Sequence, residues 1–210
     1  MTAVPAGPAL RPILRLVRLH AVSRRLPAAV VLLAACAAGL RGTLYGHWDA
    51  YGALQLPLIL EAGCAVIIAA AASGPFGEPE RVAGPRLLFR RLGAAVALTA
   101  LAAGLLAAAG TSMPLAGGFP DVLRNVAGLT GLGLLCAVLL GGSLAWTGPL
   151  AYLLAGVYAL YTDWHPPTLS TPWLWPARPP HDVGGALCAA AVFAAGLIAI
   201  TVRGARESAS

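Results

Sequence analysis

Apolar residues fill six long runs along the chain, at 26–44, 54–72, 92–110, 122–142, 144–161 and 183–202. Each is long enough, as a helix rising about 1.5 Å per residue, to cross a hydrocarbon core of about 30 Å or nearly so. None shows the strict alternation of a half-buried strand. The pattern predicts an all-α integral membrane protein with about six transmembrane helices in a domain spanning 26–202. Residues 9–25, ALRPILRLVRLHAVSRR, carry too many charges to span. At 100° per residue Arg11, Arg15, Arg18 and Arg25 fall in one sector, opposite Leu10, Ile13, Leu16 and Val17, which predicts an amphipathic helix lying in the membrane interface. The N-terminal segment 1–25 and a tail at 203–210 complete the chain.

The connections assign the sides. Arginine accumulates in the N-terminal segment, the 73–91 loop and the tail, which together hold eleven, whereas Arg41, Arg124 and Arg178 are the three left for the other face. By the positive-inside rule both termini are cytoplasmic. Trp48, Trp164, Trp173 and Trp175 fall on the outer side, as an interfacial aromatic belt requires. The link between the fourth and fifth spans, GGSLAWTGP, carries no charge, so those two segments read either as full crossings or as a re-entrant pair. Asp121 is placed to cap the fourth span.

Composition agrees: 59% of residues are hydrophobic and 10% charged, with mean hydropathy +0.79, too few charges to coat a water-facing surface. The net charge of +6 comes from fourteen arginines and no lysine. In a membrane protein this reflects topology rather than nucleic-acid binding. Without lysine the chain has no Walker A motif, so ATP-driven work requires a separate subunit. Arginine without lysine, with abundant Ala, Gly and Pro, indicates a high-GC, bacterial source and hence a bacterial plasma membrane. The four cysteines stand singly in four apolar runs, without CxxC or zinc spacing, and read as packing residues. Leu33-Ala34-Ala35-Cys36 matches a lipobox tetrapeptide that an Ala-rich span also produces by chance.

Glu61 is the one acidic residue well inside a span, about seven residues, or roughly 10 Å, from its expected outer end. A carboxylate there needs a partner, a proton or a polar cavity. Arg41 and Arg124 are expected at a similar level, giving an intramembrane polar cluster that serves either to fix helix register or to handle substrate or protons. In the fourth span Gly128, Gly131 and Gly133 admit close backbone approach, and Thr130 can bond across helices. His20, His47, His165 and His181 lie at span ends or in loops, unsuited to haem ligation. HExxH, GxSxG and CxxC signatures are missing, so no catalytic, metal or cofactor residue is assigned.

The 73–91 loop is the most informative segment. Glu78-Pro79-Glu80-Arg81 can open a short helix with acids at its positive end, which Gly84-Pro85 would stop, and Arg86, Arg90 and Arg91 follow. With the interfacial helix before the first span and the long outer segment before the sixth, this layout resembles the transmembrane subunits of ABC-2 type transporters. RNVAGLTGLGLL in the fourth span and WLWP before the last also look like short, Ala-rich actinobacterial permease-like proteins. The resemblance implies an elbow helix at Leu10–Arg25 and a coupling segment at Gly77–Arg91. Glu78, Glu80, Arg81 and Arg86 would then contact an ABC ATPase subunit, and ATP would be bound by that partner. It further implies a homodimer, or a pair with a second permease, exporting an apolar or amphipathic substrate. Two other readings stand beside it: a non-transporting anchor, immunity protein or sensor using the Trp-rich outer loop, and a membrane enzyme acting on lipid.

Overall fold

A computed structural model describes residues 26–45, 50–73, 85–112, 118–161, 172–179 and 181–203. These form six α-helices: α1 (Leu26–Tyr45), α2 (Ala50–Ala72), α3 (Pro85–Ala109), α4 (Gly118–Leu139), α5 (Thr147–Tyr161) and α6 (Val183–Arg203). Four of them are long and apolar enough to cross a membrane: α1, α3, α4 and α6. The chain is thus an all-helical protein with the make-up of a multi-pass membrane protein.

Helix ends follow local chemistry. Pro85 opens α3, where its missing N–H costs nothing. The third helix therefore starts at Pro85 rather than Leu92, and absorbs Arg86, Arg90 and Arg91, which were expected in a loop. Leu87, Leu88 and Phe89 extend its apolar content, and long Arg side chains can reach the interface from a helix end. The second helix begins at Ala50 rather than Leu54, which puts Glu61 midway along it instead of near its outer end. Pro57 lies inside α2, tolerated because neighbouring helices compensate for the lost hydrogen bond. The elbow segment, together with Glu78, Glu80 and Arg81, lies outside the described residues.

Between α4 and α5 the chain turns sharply. Gly141 adopts φ 105°, which a side chain would oppose, and Gly142–Leu144 form a 3₁₀ turn. The fifth helix starts at Thr147, not Leu144, with Pro149 in its first turn. At 22 residues α4 is roughly 33 Å long. The fifteen residues of α5 reach roughly 22 Å, short of a full hydrocarbon core.

Helix α4 is the hub, packing against α2, α3, α5 and α6, with α6 its most extensive partner. Glu61 meets Asn125 and Ala69 meets Gly133, so α2 and α4 run in the same direction. The starts of α4 and α6 are joined by a bond from the His181 N–H to Asp121, and Gly131 lies against Gly196, so α6 runs with them. Helix α5 runs opposite, with Gly148 against Cys136 at one end and Gly156 against Leu58 at the other.

Lipid supplies little drive for helix association, so shape and small residues must provide it. At the α4–α6 crossing a Cβ on Gly196 would stand 2.6 Å from the Gly131 carbonyl oxygen, and one on Gly131 would meet Phe193 Cα at 2.6 Å. Leu134, Ala137, Leu197 and Ile200 continue this seam, while Leu33, Leu40, Ile68 and Leu106 hold α1, α2 and α3 together. Outward faces are apolar, as on Val31, Leu154, Leu187 and Ile198, which suits contact with acyl chains.

Gly196→Val should therefore cost about 1–3 kcal/mol through overpacking against backbone. Gly104→Ala, where no atom lies within 4 Å, should be neutral or slightly stabilising. Thermal unfolding in detergent compares the two.

Candidate functional site

The fourth helix begins three residues before Asp121, so Asp121 sits in its first turn rather than serving as its cap. One turn on, Arg124 Nη1 lies 3.3 Å from Asp121 Oδ1, and Arg124 Nε donates to Asn125 Oδ1 at 3.2 Å. Asn125 Nδ2 in turn donates to Glu61 Oε2 on α2 at 3.0 Å. The amide orientation follows from the donors: a guanidinium only donates, so Oδ1 faces Arg124 and the NH₂ group faces Glu61. Glu61, Asp121 and Arg124 are all buried.

The direct partner of Glu61 is thus the amide of Asn125, and Arg124 acts through it. Asp121 and Arg124 neutralise one another, leaving Glu61 with a dipole instead of a cation. Leu58, Ala62, Ala65 and Leu129 surround this level with apolar surface, with Tyr152, Leu153 and Val157 of α5 packed on them. Arg41 lies at the end of α1 on an exposed position, whereas Glu61 and Arg124 enter the same network. Sequence reasoning overlooked Asn125, although it is the only asparagine in the chain and adjoins Arg124 within an apolar helix.

The segment preceding α6 is folded onto this end of the bundle. Asp182 caps α6, its Oδ2 accepting from the Gly185 N–H at 2.6 Å, while its Oδ1 pairs with Arg178 at 2.9 Å. Arg178 and then the Gly185 N–H hold the Asp182 carboxyl below the usual carboxylate range. The His181 N–H donates to Asp121 Oδ1 at 3.2 Å, tying the segment to α4. His181 itself takes φ 62°, a left-handed conformation that histidine tolerates better than most side chains. Tyr152 donates to the Trp173 carbonyl and accepts from the Trp175 N–H at 3.2 Å. Its ring stacks on Trp175 at 4.4 Å.

Gly128 admits two neighbours, since a Cβ there would lie 3.0 Å from the Ala189 Cβ of α6 and closer still to an aromatic ring. A Cβ there would lie 2.5 Å from the Trp175 ring; the missing side chain is the notch that receives the indole. Gly131 and Gly133 also admit helices. The WLWP stretch was legible as an aromatic belt, but its second tryptophan is buried rather than interfacial.

No protein-family model matches this chain, and neither a curated protein nor a solved structure shows significant similarity to it. Among the described residues no group of three His, Cys, Asp or Glu side chains is placed to hold a metal ion. What the arrangement offers is a polar path of four side chains inside an apolar bundle, beneath a docked aromatic segment.

Asn125→Leu removes the donor to Glu61 without opening a void, and should destabilise the fold by about 1–3 kcal/mol in detergent melts. The depressed carboxyl of Asp182 contributes stability at pH values above its unfolded-state pKa, and loses it as pH falls through its lower folded-state value. Acidification below about pH 4 should therefore loosen the segment preceding α6, read as a red shift in tryptophan emission. Asp182→Ala should show that shift at neutral pH.

Proposed function

We propose that this chain is the transmembrane subunit of an ABC-type transporter of the bacterial plasma membrane, exporting an apolar or amphipathic substrate with energy from a separate ATPase subunit. The observation that carries the reading is the Glu61–Asn125–Arg124–Asp121 network. Ionisable groups are expensive inside a membrane bundle and are concentrated where substrates or ions are handled.

The layout supports the same reading. Helix α2 carries Glu61 at its centre and closes at Ser73, whose N–H and hydroxyl both donate to the Ala69 carbonyl. Immediately beyond comes the segment with Glu78, Glu80 and Arg81, and Arg86 falls in the first turn of α3. A soluble ATPase gripping this segment pushes on two helices at once, one of them holding the polar network. The topology proposed is six spans with both termini inside and an interfacial elbow before α1. Two copies, or one copy with a second permease, would enclose the path.

One observation favours a second reading, recognition at the outer face by an anchor, immunity protein or sensor. Trp173 stays 45% exposed although its carbonyl is fixed by Tyr152, so an aromatic side chain is presented on a rigid corner.

Affinity purification from native membranes in mild detergent separates the two. A stoichiometric ATPase subunit should co-purify, and should be lost in the Glu80→Ala/Arg81→Ala double variant while the membrane protein keeps its own elution profile. Recovery without any ATPase, under conditions that preserve other membrane complexes, overturns the transporter reading in favour of the outer corner.

A further inference from the structure

The outer segment does more than decorate the bundle. Trp175 is 2% exposed and inserts between three helices: its ring lies over Gly128 of α4, its Cβ over Gly185 of α6, and its face on Tyr152 of α5. Pro176 sits on Gly156 of α5, where the Leu58 side chain of α2 also arrives. Leu58 is one helical turn from Glu61 on the outer side, so Trp175 and Pro176 close the bundle directly above the polar network.

The attachments of this segment are reversible. Three are hydrogen bonds made by its backbone: the Trp173 carbonyl accepts from Tyr152, the Trp175 N–H donates to the Tyr152 hydroxyl, and the His181 N–H donates to Asp121. The indole Nε1 is buried without a partner, a donor left unmet only while the ring is seated. The seat itself is the bare, buried backbone of Gly128, with no side chain of its own to grip the ring.

We propose that residues 173–176 form a removable plug that seals the outer approach to the Glu61–Asn125 network, with Trp175 as the sealing group and the Gly128 notch as its seat. Lifting it uncovers Ala62, Leu58 and Glu61 to the outer side. Reseating closes them again. The plug gives the proposed transporter its outer gate and rests on that reading for its purpose. Its test needs no ATPase, so a failed plug leaves the transport reading standing, and a failed co-purification leaves the plug standing.

The test is cysteine accessibility in right-side-out vesicles. The four native cysteines are replaced by alanine and Ala62→Cys is introduced as reporter. Labelling by a small, charged, membrane-impermeant methanethiosulfonate is followed by mass spectrometry at position 62. Trp175→Ala, and separately Gly128→Ala, which expels the ring by occupying its seat, should each raise the labelling rate about tenfold or more; Trp175→Phe should not. A lock is also available, because a Cβ at position 156 would stand 3.7 Å from the Pro176 Cβ, within the span of a disulfide. Oxidised Gly156→Cys/Pro176→Cys should label at position 62 about tenfold more slowly than the unlocked reporter. Equal rates with and without the lock overturn the proposal. So does an unlabelled reporter in both Trp175→Ala and Gly128→Ala protein of normal elution profile. The lock decides the question even where Trp175→Ala fails to fold.

Discussion

Everything else in this bundle hangs on how closely α4 can be approached. In a bilayer the surrounding hydrocarbon competes on equal terms for any apolar face, so helices stay together only where surfaces fit closely or polar groups meet. Helix α4 satisfies both conditions. Gly131 and Gly196 bring the α4 and α6 backbones into direct contact, Gly133 takes Ala69 from α2, and Cys136 fits the bare backbone of Gly148 on α5. Once α4 is held on three sides by small residues, its register against α2 is fixed, and Asn125 has little choice but to face Glu61. The polar network is therefore a consequence of the glycine packing as much as a cause of it.

That order bears on what the network is for. A bundle already pinned by close backbone contacts does not need a buried carboxylate to choose its register, and a well-packed apolar pair at positions 61 and 125 would be cheaper to bury. Asp121 and Arg124 have a plain structural task, because Asp121 also receives the His181 N–H and so anchors the segment preceding α6. Glu61 has no comparable duty. Its single described bond is to an amide whose other end is committed to Arg124. Glu61 is thus the ionisable member of the network that the glycine packing does not account for.

The sequence made the helices plain and their contacts obscure, for physical reasons. Continuous apolar runs announce spans because the bilayer requires length and hydrophobicity together, and the runs at 26–44 and 183–202 recur as α1 and α6 within a residue or so. Ends were less legible: Pro85 opens α3, so Arg86, Arg90 and Arg91 lie on that helix rather than in a loop. Glu61 and Arg124 stood out as charges in apolar surroundings. Asn125 did not, since a single amide changes hydropathy little. The pairing of Trp175 with Gly128 joins residues 47 positions apart through shape alone, and no local pattern encodes it.

Direction is the last link between packing and action. Helices α2, α4 and α6 run the same way, so Ser73 at the end of α2 and the aromatic segment before Val183 lie at opposite ends of one parallel trio. A displacement applied at the Ser73 end of α2 is not easily absorbed at the α4–α6 seam, where backbone already touches backbone. It is more easily absorbed between α2, α4 and α5, where Leu58, Ala62, Leu129 and Tyr152 meet as side chains and can slide. That interface contains Glu61 and ends beneath Trp175 and Pro176. The stiff seam and the softer one therefore share α4, and a displacement of α2 along its axis would be taken up at the Glu61–Asn125 level rather than at the α4–α6 crossing.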